Sequence, residues 1–450
     1  MKGNKSTFER ILSVFTEVRR GEGVSVLALT CNILVILTAY YLIKPVREAL
    51  ILSEPGGAEL KSYASAGLVL LLLLAVPAYG WLASRVPRMR LIHVVTVFFA
   101  TCLVGFYLLI PAEVPLGIAF FLWVGIFNLM VPAQFWAFAN DIYTPEAGKR
   151  LFVLVAFGAS AGAVFGSFLA NEMIRYVGIY EMLLVAAVLL VATLLLTHFV
   201  NAREAAMEPG AARDAPAPSA DPIDAGNPFG FVFRNRYLLL MALMVLFNNW
   251  VNANGEYILG RIVSESAAAA AAGPEAVHRD AFIAAFYARY FGAVNLLGML
   301  LQLFVVSRVI KYIGVPVAVC LLPLIVMGSY TTIAVLPLLT AVRWVKTLEN
   351  STDYSLQNTI KQVLYLPTTR TEKYKAKQAI DTLFVRLGDV CSAALVLAGT
   401  QFLGLGVQGF AIASVALATI WLGIAVGVGR RFSEMVPQRS LTGRPSTAPT

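Results

Sequence analysis

The sequence predicts an all-α, polytopic membrane protein with twelve transmembrane helices in two six-helix halves. Three observations predict it. The 450 residues are 58% hydrophobic and only 14% charged, against about 25% charged in a soluble globular domain, and mean hydropathy is +0.74. The apolar residues fall in runs of about 20 or more, the length a helix needs to cross ~30 Å of hydrocarbon. A single long polar stretch interrupts those runs near the middle of the chain.

Taken in order, Met1 to Val24 mixes acids and bases and has no short apolar core with a small-residue cleavage site. Residues 1–25 therefore read as a cytoplasmic lead-in rather than a cleavable signal. Six spans are expected over 26–52, 65–84, 91–111, 115–142, 150–172 and 179–200, forming a first bundle over 26–200. GASAGAVFG in span five spaces Gly158, Gly162 and Gly166 four apart, a pattern that lets helices pack closely. No GK[ST] follows it, so it is not a phosphate loop. Residues 201–235, with their Ala, Pro, Asp and Gly, cannot bury enough surface to fold alone and read as a mobile linker. Spans seven to twelve are expected over 236–262, 281–306, 313–336, 338–366, 377–404 and 408–430, forming a second bundle over 236–432. A cytoplasmic tail, 433–450, follows. Two sixes about a linker is the layout of the major facilitator fold. REALIL (Arg47–Leu52) and GEYILG (Gly255–Gly260) echo each other at matching places in the halves and set Glu48 opposite Glu256.

Charge orients the chain. With the N-terminus inside, cytoplasmic segments hold about 24 of the 35 Lys and Arg, among them Arg85, Arg88, Arg90, Lys149, Arg150, Lys373, Lys375 and Lys377. The opposite face holds about four, Lys61, Arg175, Arg261 and Arg279. Positive charge favours the inside, so both termini are expected in the cytoplasm and the protein in the cell's inner membrane. The same bias accounts for the net charge of +9 without nucleic acid. Cys31, Cys102, Cys320 and Cys391 lie in apolar runs as packed thiols, and His93, His198 and His278 are too scattered for a metal site. No cofactor is expected, and no nucleophile–base pair marks an enzyme.

Seven bases remain within the spans: Lys44, Arg47, Arg289, Arg343, Lys346, Lys361 and Arg386. Acids at the same depth include Glu48, Glu256, Glu349, Asp353 and Asp389. Each charge at a span's centre costs about 2.5–3.5 kcal/mol on insertion scales, so these groups should face water or one another. On span ten, which holds TLENSTDYSLQNTIKQVLYLP (Thr347–Pro367), Arg343, Lys346, Asn350, Asp353, Gln357 and Lys361 fall within about 80° at 100° per residue. Val345, Leu348, Leu356 and Val363 fall on the other side, with Ile360 at the edge of the stripe. Such a stripe either touches a charged solute or closes on itself through pairs such as Asp353 with Lys346 or Lys361. Lys44, Arg47 and Glu48 share one face of span one and read as cavity lining or as interface anchors. In FNNWVNANGEYILG, Glu256 reads as a solute contact or as a partner for Arg289. Arg386 and Asp389, at i and i+3, read as a structural pair. The cavity set holds six bases and four acids, so the expected solute is an anion. Lys and Arg together suit phosphate, and Phe247, Trp250, Tyr354 and Trp136 could stack a base.

Four stretches resemble the nucleotide transporter family, the ATP/ADP translocases of plastids and intracellular bacteria. They are YYLIKPVREALILSEPGG, FWAFANDIYTPEAGKRLFVLVAFGASAG, FNNWVNANGEYI and DYSLQNTIKQVLYLPTTRTEKYKAKQAID. The resemblance implies transport residues at Arg47, Glu256 and Lys361. The family's acid in span four falls near Val124, where this chain has none. The function expected is a secondary transporter that moves a nucleotide or related phosphorylated anion by alternating access, working as a monomer among membrane lipid. Its substrate-binding residues are expected to be Lys44, Arg47, Glu48, Glu256, Arg343, Lys346, Asp353, Gln357 and Lys361. The alternatives are a proton-coupled carrier of another organic anion or metabolite, with Glu256 or Asp353 carrying the proton, and a non-transporting membrane partner.

Overall fold

The computed structural model describes residues 18–19, 22–112, 114–207, 232–273, 277–368, 377 and 379–435. Most of the expected lead-in, linker and tail lies outside the described residues, as do Lys373 and Lys375. Among the described residues every regular element is helical, and eleven helical segments are long and apolar enough to cross a membrane. The expected span ten is helical but is not one of the eleven. A π-helical turn at Asp353 ends its regular helix, Leu339–Thr352, after 14 residues, too few to cross a membrane, and that helix also carries Arg343, Lys346 and Glu349.

Two compact units make up the chain: Met1–Ser219 with Ser264–Asn295, and Ala220–Val263 with Leu296–Thr450. In the first, span one (Glu22–Leu52) is buried along most of its length and passes through Pro45 without a break. Gly158, Gly162 and Gly166 of span five (Pro145–Tyr176) lie against Thr30, Leu34 and Thr38. A Cβ at Gly162 would stand 2.8 Å from the Leu34 Cα, and one at Gly166 would stand 2.7 Å from the Thr38 carbonyl oxygen. Contact that close requires residues without a side chain.

Span two begins at Gly57 and ends at Arg85, eight residues before the expected start. Its first turns, GAELKSYA, are too polar to register as membrane helix, but Glu59 suits a helix N-terminus. The hairpin from span one closes at Gly56, whose φ is +66°, and at Gly57, where a Cβ would lie 2.7 Å from the Leu52 Cα. The Ser264–Asn295 segment is bonded into the same unit. Ser264 Oγ and Arg279 Nη2 both donate to the Leu52 carbonyl, at 3.1 and 3.2 Å. Tyr180 Oη donates to Asp280 at 2.8 Å, and Tyr41 Oη donates to Asn295 at 3.0 Å.

In the second unit two spans leave the regular α-helix. Span ten runs Leu339–Thr352, then a π-helical turn Asp353–Gln357, then Asn358–Leu364. Span eleven opens on a π-helical turn, Ile380–Phe384, and continues as Val385–Gln401. Single π turns within α-helices gather at functional sites.

Candidate functional site

In the first unit, span one brings three of the expected residues together. The Arg47 guanidinium pairs with the Glu48 carboxylate, and the second Glu48 oxygen meets Lys61 Nζ at 2.8 Å. Glu48 is fully buried. Lys61, expected on the outer face, lies inside this cluster because the Gly56–Gly57 turn folds span two back beside span one. Arg47 also stacks over Phe121 at 4.9 Å. Lys44 sits among rings, with Nζ 3.9 Å from the centre of Phe291, 5.2 Å from Tyr41 and 5.8 Å from Tyr40. A desolvated ammonium over aromatic faces is strongly held.

In the second unit, the expected single stripe of span ten is split by its π turn into two polar groups. Above the turn, Lys346 and Glu349 form a buried pair at 2.7 Å. Lys346 also donates to Asn252 at 3.3 Å, and Tyr330 Oη donates to Glu349 at 3.4 Å. Gly255 makes the room: a Cβ there would collide with the Tyr330 hydroxyl and stand 2.6 Å from Lys346 Nζ. Glu256 accepts from Asn350 at 3.2 Å. Arg343 is half-buried, its guanidinium 5.3 Å from the Trp344 ring.

At and after the turn, Asp353, Gln357 and Lys361 line a cavity of about 390 Å³ with Asn248, Asn249 and Tyr354. That volume is in the range of small-molecule sites. Asn248 donates to Asp353 at 3.2 Å. Asn249 is oriented from behind, donating to Asp389 at 2.7 Å and to the Val385 carbonyl at 2.6 Å. Asp389 in turn accepts from Arg386 at 3.1 Å. Lys361 Nζ stands 3.1 Å from Asp381. Thus Lys346 and Lys361 do not pair with Asp353; each takes another acid. The Asn residues of span seven (Arg236–Ala271) serve different neighbours, Asn254 holding Ser414 and Ser392.

In the second unit Arg343, Lys346 and Lys361 share the spans with Glu256, Glu349, Asp353 and Asp381. Arg289, in the first unit, is exposed and bonded to its own helix at the Ala285 carbonyl.

No protein-family model matches the chain. The ADP,ATP carrier protein 1 of Chlamydia trachomatis serovar D is 22% identical over 348 aligned positions. The match covers 68% of this chain and 63% of the relative, so it spans less than two thirds of that protein's length. Solved structures align over nearly the whole chain. A bacterial homologue of the human lysosomal transporter Spinster superposes with a TM-score of 0.60 at 13% identity, covering 96% of this chain and all of that one. An autoinhibited POT family peptide transporter gives 0.61 at 11%, covering 94% and 99%. The nucleoside transporter NupG gives 0.57 at 11%, covering 90% and 98%. The chain has the major facilitator fold.

Proposed function

We propose that this chain is a secondary transporter of the inner membrane, with both termini cytoplasmic, that carries a nucleotide or related phosphorylated anion by alternating access. One observation carries the reading. Lys361 stands at the edge of a carboxamide-lined cavity of about 390 Å³, on the stretch of span ten that resembles nucleotide carriers. Lys361 binds phosphate as a point charge. Asn248, Asn249 and Gln357 offer amide groups to sugar or base, and Tyr354 offers a ring face. Arg47 of span one and Lys61 of span two around one Glu48 give the first unit's cluster a surplus of positive charge. The similarity to a chlamydial ADP,ATP carrier supports the same class of solute. The function works from one copy of the chain.

The test is exchange of labelled nucleotides and other anions in proteoliposomes holding the full chain. Lys361→Ala should abolish exchange while the amount of protein in the membrane stays the same. Undiminished exchange by that variant rejects the role of Lys361.

A second reading, a proton-coupled carrier of another organic anion, is favoured by the acids of the second unit, where Asp353 lines the cavity and Glu349 is buried. It predicts uptake driven by a pH gradient with no solute supplied on the far side. Strict dependence on internal solute excludes it.

A further inference from the structure

We propose that Asp381 is a built-in competitor for the transported anion. Its carboxylate occupies the place beside Lys361 that a phosphate group takes when solute enters the cavity. The inference rests on the proposed transport of a phosphorylated anion and assigns a residue that sets its affinity and charge selectivity.

Geometry separates this pair from the other ion pair of span ten. Lys346 and Glu349 are sealed, with side chains 0% and 3% exposed, and the ammonium is aligned to donate at 2.7 Å. Lys361 and Asp381 are 24% and 29% exposed. Their contact at 3.1 Å is charge against charge only, because Asp381 Oδ1 accepts no hydrogen bond. A half-exposed pair without hydrogen-bond alignment contributes little to the fold, so stability does not explain why an acid is held there. Lys361 also lines the cavity, whereas Asp381 does not. Lys361 thus belongs to the cavity wall while its ammonium is engaged by Asp381.

The backbone around the pair is irregular on both spans. Asp381 lies within the π turn Ile380–Phe384, and Val385, the next residue, lines the cavity. Lys361 follows the π turn Asp353–Gln357, whose first, second and last residues line it too. Two π turns thus flank one cavity, with the ion pair bridging the spans that carry them.

Charge then selects the solute. A monocarboxylate offers Lys361 no more than Asp381 already does. A phosphate ester or diphosphate brings about two or more charges near neutral pH and displaces it. The site should favour phosphorylated solutes over monocarboxylates of similar size.

The experiment compares wild type, Asp381→Asn, Lys361→Gln and the double variant in proteoliposomes, with ADP, AMP and lactate as probes. Asp381→Asn should lower the KM for ADP about fivefold, the equivalent of an exposed ion pair worth ~1 kcal/mol, and admit lactate that wild type refuses. In the Lys361→Gln background, Asp381→Asn should bring no gain in ADP exchange. An unchanged or raised KM in Asp381→Asn, with wild type active on ADP, overturns the inference and leaves the proposed function standing. Absence of any anion flux in wild type overturns the proposed function itself. Should Asp381→Asn fail to reach the membrane, Asp381→Ser removes the same charge with a smaller group and must show the same fall in KM.

Discussion

Each unit contains a cluster of charged residues within its helices, and the two clusters differ in what lies beside them. In the first, Arg47 and Lys61 close on the fully buried Glu48, while Lys44 is packed into the rings of Tyr40, Tyr41 and Phe291. In the second, Lys346 and Glu349 are equally sealed, but Lys361 and Asp381 meet half-exposed beside a cavity of about 390 Å³. Charge inside a membrane helix is costly wherever it stands. A sealed pair recovers that cost through partners fixed in the fold, and removing one partner strands the other. A half-open pair beside a cavity keeps one charge within reach of a solute. Membrane depth alone therefore does not mark a binding residue; what matters is whether an open space adjoins the charge.

The largest expected effect tests the sealed end of that comparison. Glu48→Gln leaves Arg47 and Lys61 buried with no carboxylate between them. Breaking a buried pair from one side costs about 3–5 kcal/mol, so the detergent-solubilised variant should unfold far below wild type or fail to accumulate. A melting temperature equal to that of wild type would mean the span-one cluster is open, and the contrast would collapse. The second effect is smaller and lies in the other unit. Gly255→Ala drives a methyl group against the Tyr330 hydroxyl and to within 2.6 Å of Lys346 Nζ. Overpacking of this kind costs about 1–3 kcal/mol. Tyr330→Phe in the same chain should recover part of the loss, because it removes the atom in the way. Both are read by thermal unfolding in detergent.

What the sequence made legible follows from which signals are local. Runs of apolar residues marked the spans and the fold class, and the four-residue spacing of Gly158, Gly162 and Gly166 marked a close helix contact. The identity of the intramembrane charges was equally plain. Their grouping was not. A wheel at 100° per residue placed Arg343, Lys346, Asp353, Gln357 and Lys361 on one stripe. A π turn takes more residues per turn than an α-helix, and nothing in DYSLQ announces it, so the stripe divides at Asp353. Lys61 was hidden by hydropathy, since GAELKSYA is polar. Its partner was still within reach of simple counting. Glu48 lies four residues before the end of span one and Lys61 four after the start of span two, so a tight hairpin sets them level. Asp381 offers no such count, because Lys361 is twenty residues back in the chain and only the packed helices show the contact.

The smallest expected effect on stability sharpens the contrast most. Lys361→Ala removes a base whose side chain is 24% exposed and whose acid partner is 29% exposed. Such pairs contribute about 0–1 kcal/mol, and Asp381 left alone is exposed enough to be hydrated. The melting temperature should therefore move by no more than a few degrees, well short of the loss expected for Glu48→Gln. The proposed transport, in contrast, should disappear, because the charge that meets the phosphate is gone. A large loss of stability in Lys361→Ala would place Lys361 with the sealed pairs. The distinction between a charge that holds the fold and one that waits for a solute would then rest on exposure alone, without an energetic counterpart. A small shift together with lost exchange separates the two roles in a single variant, since a residue that contributes little to folding has no other reason to be indispensable.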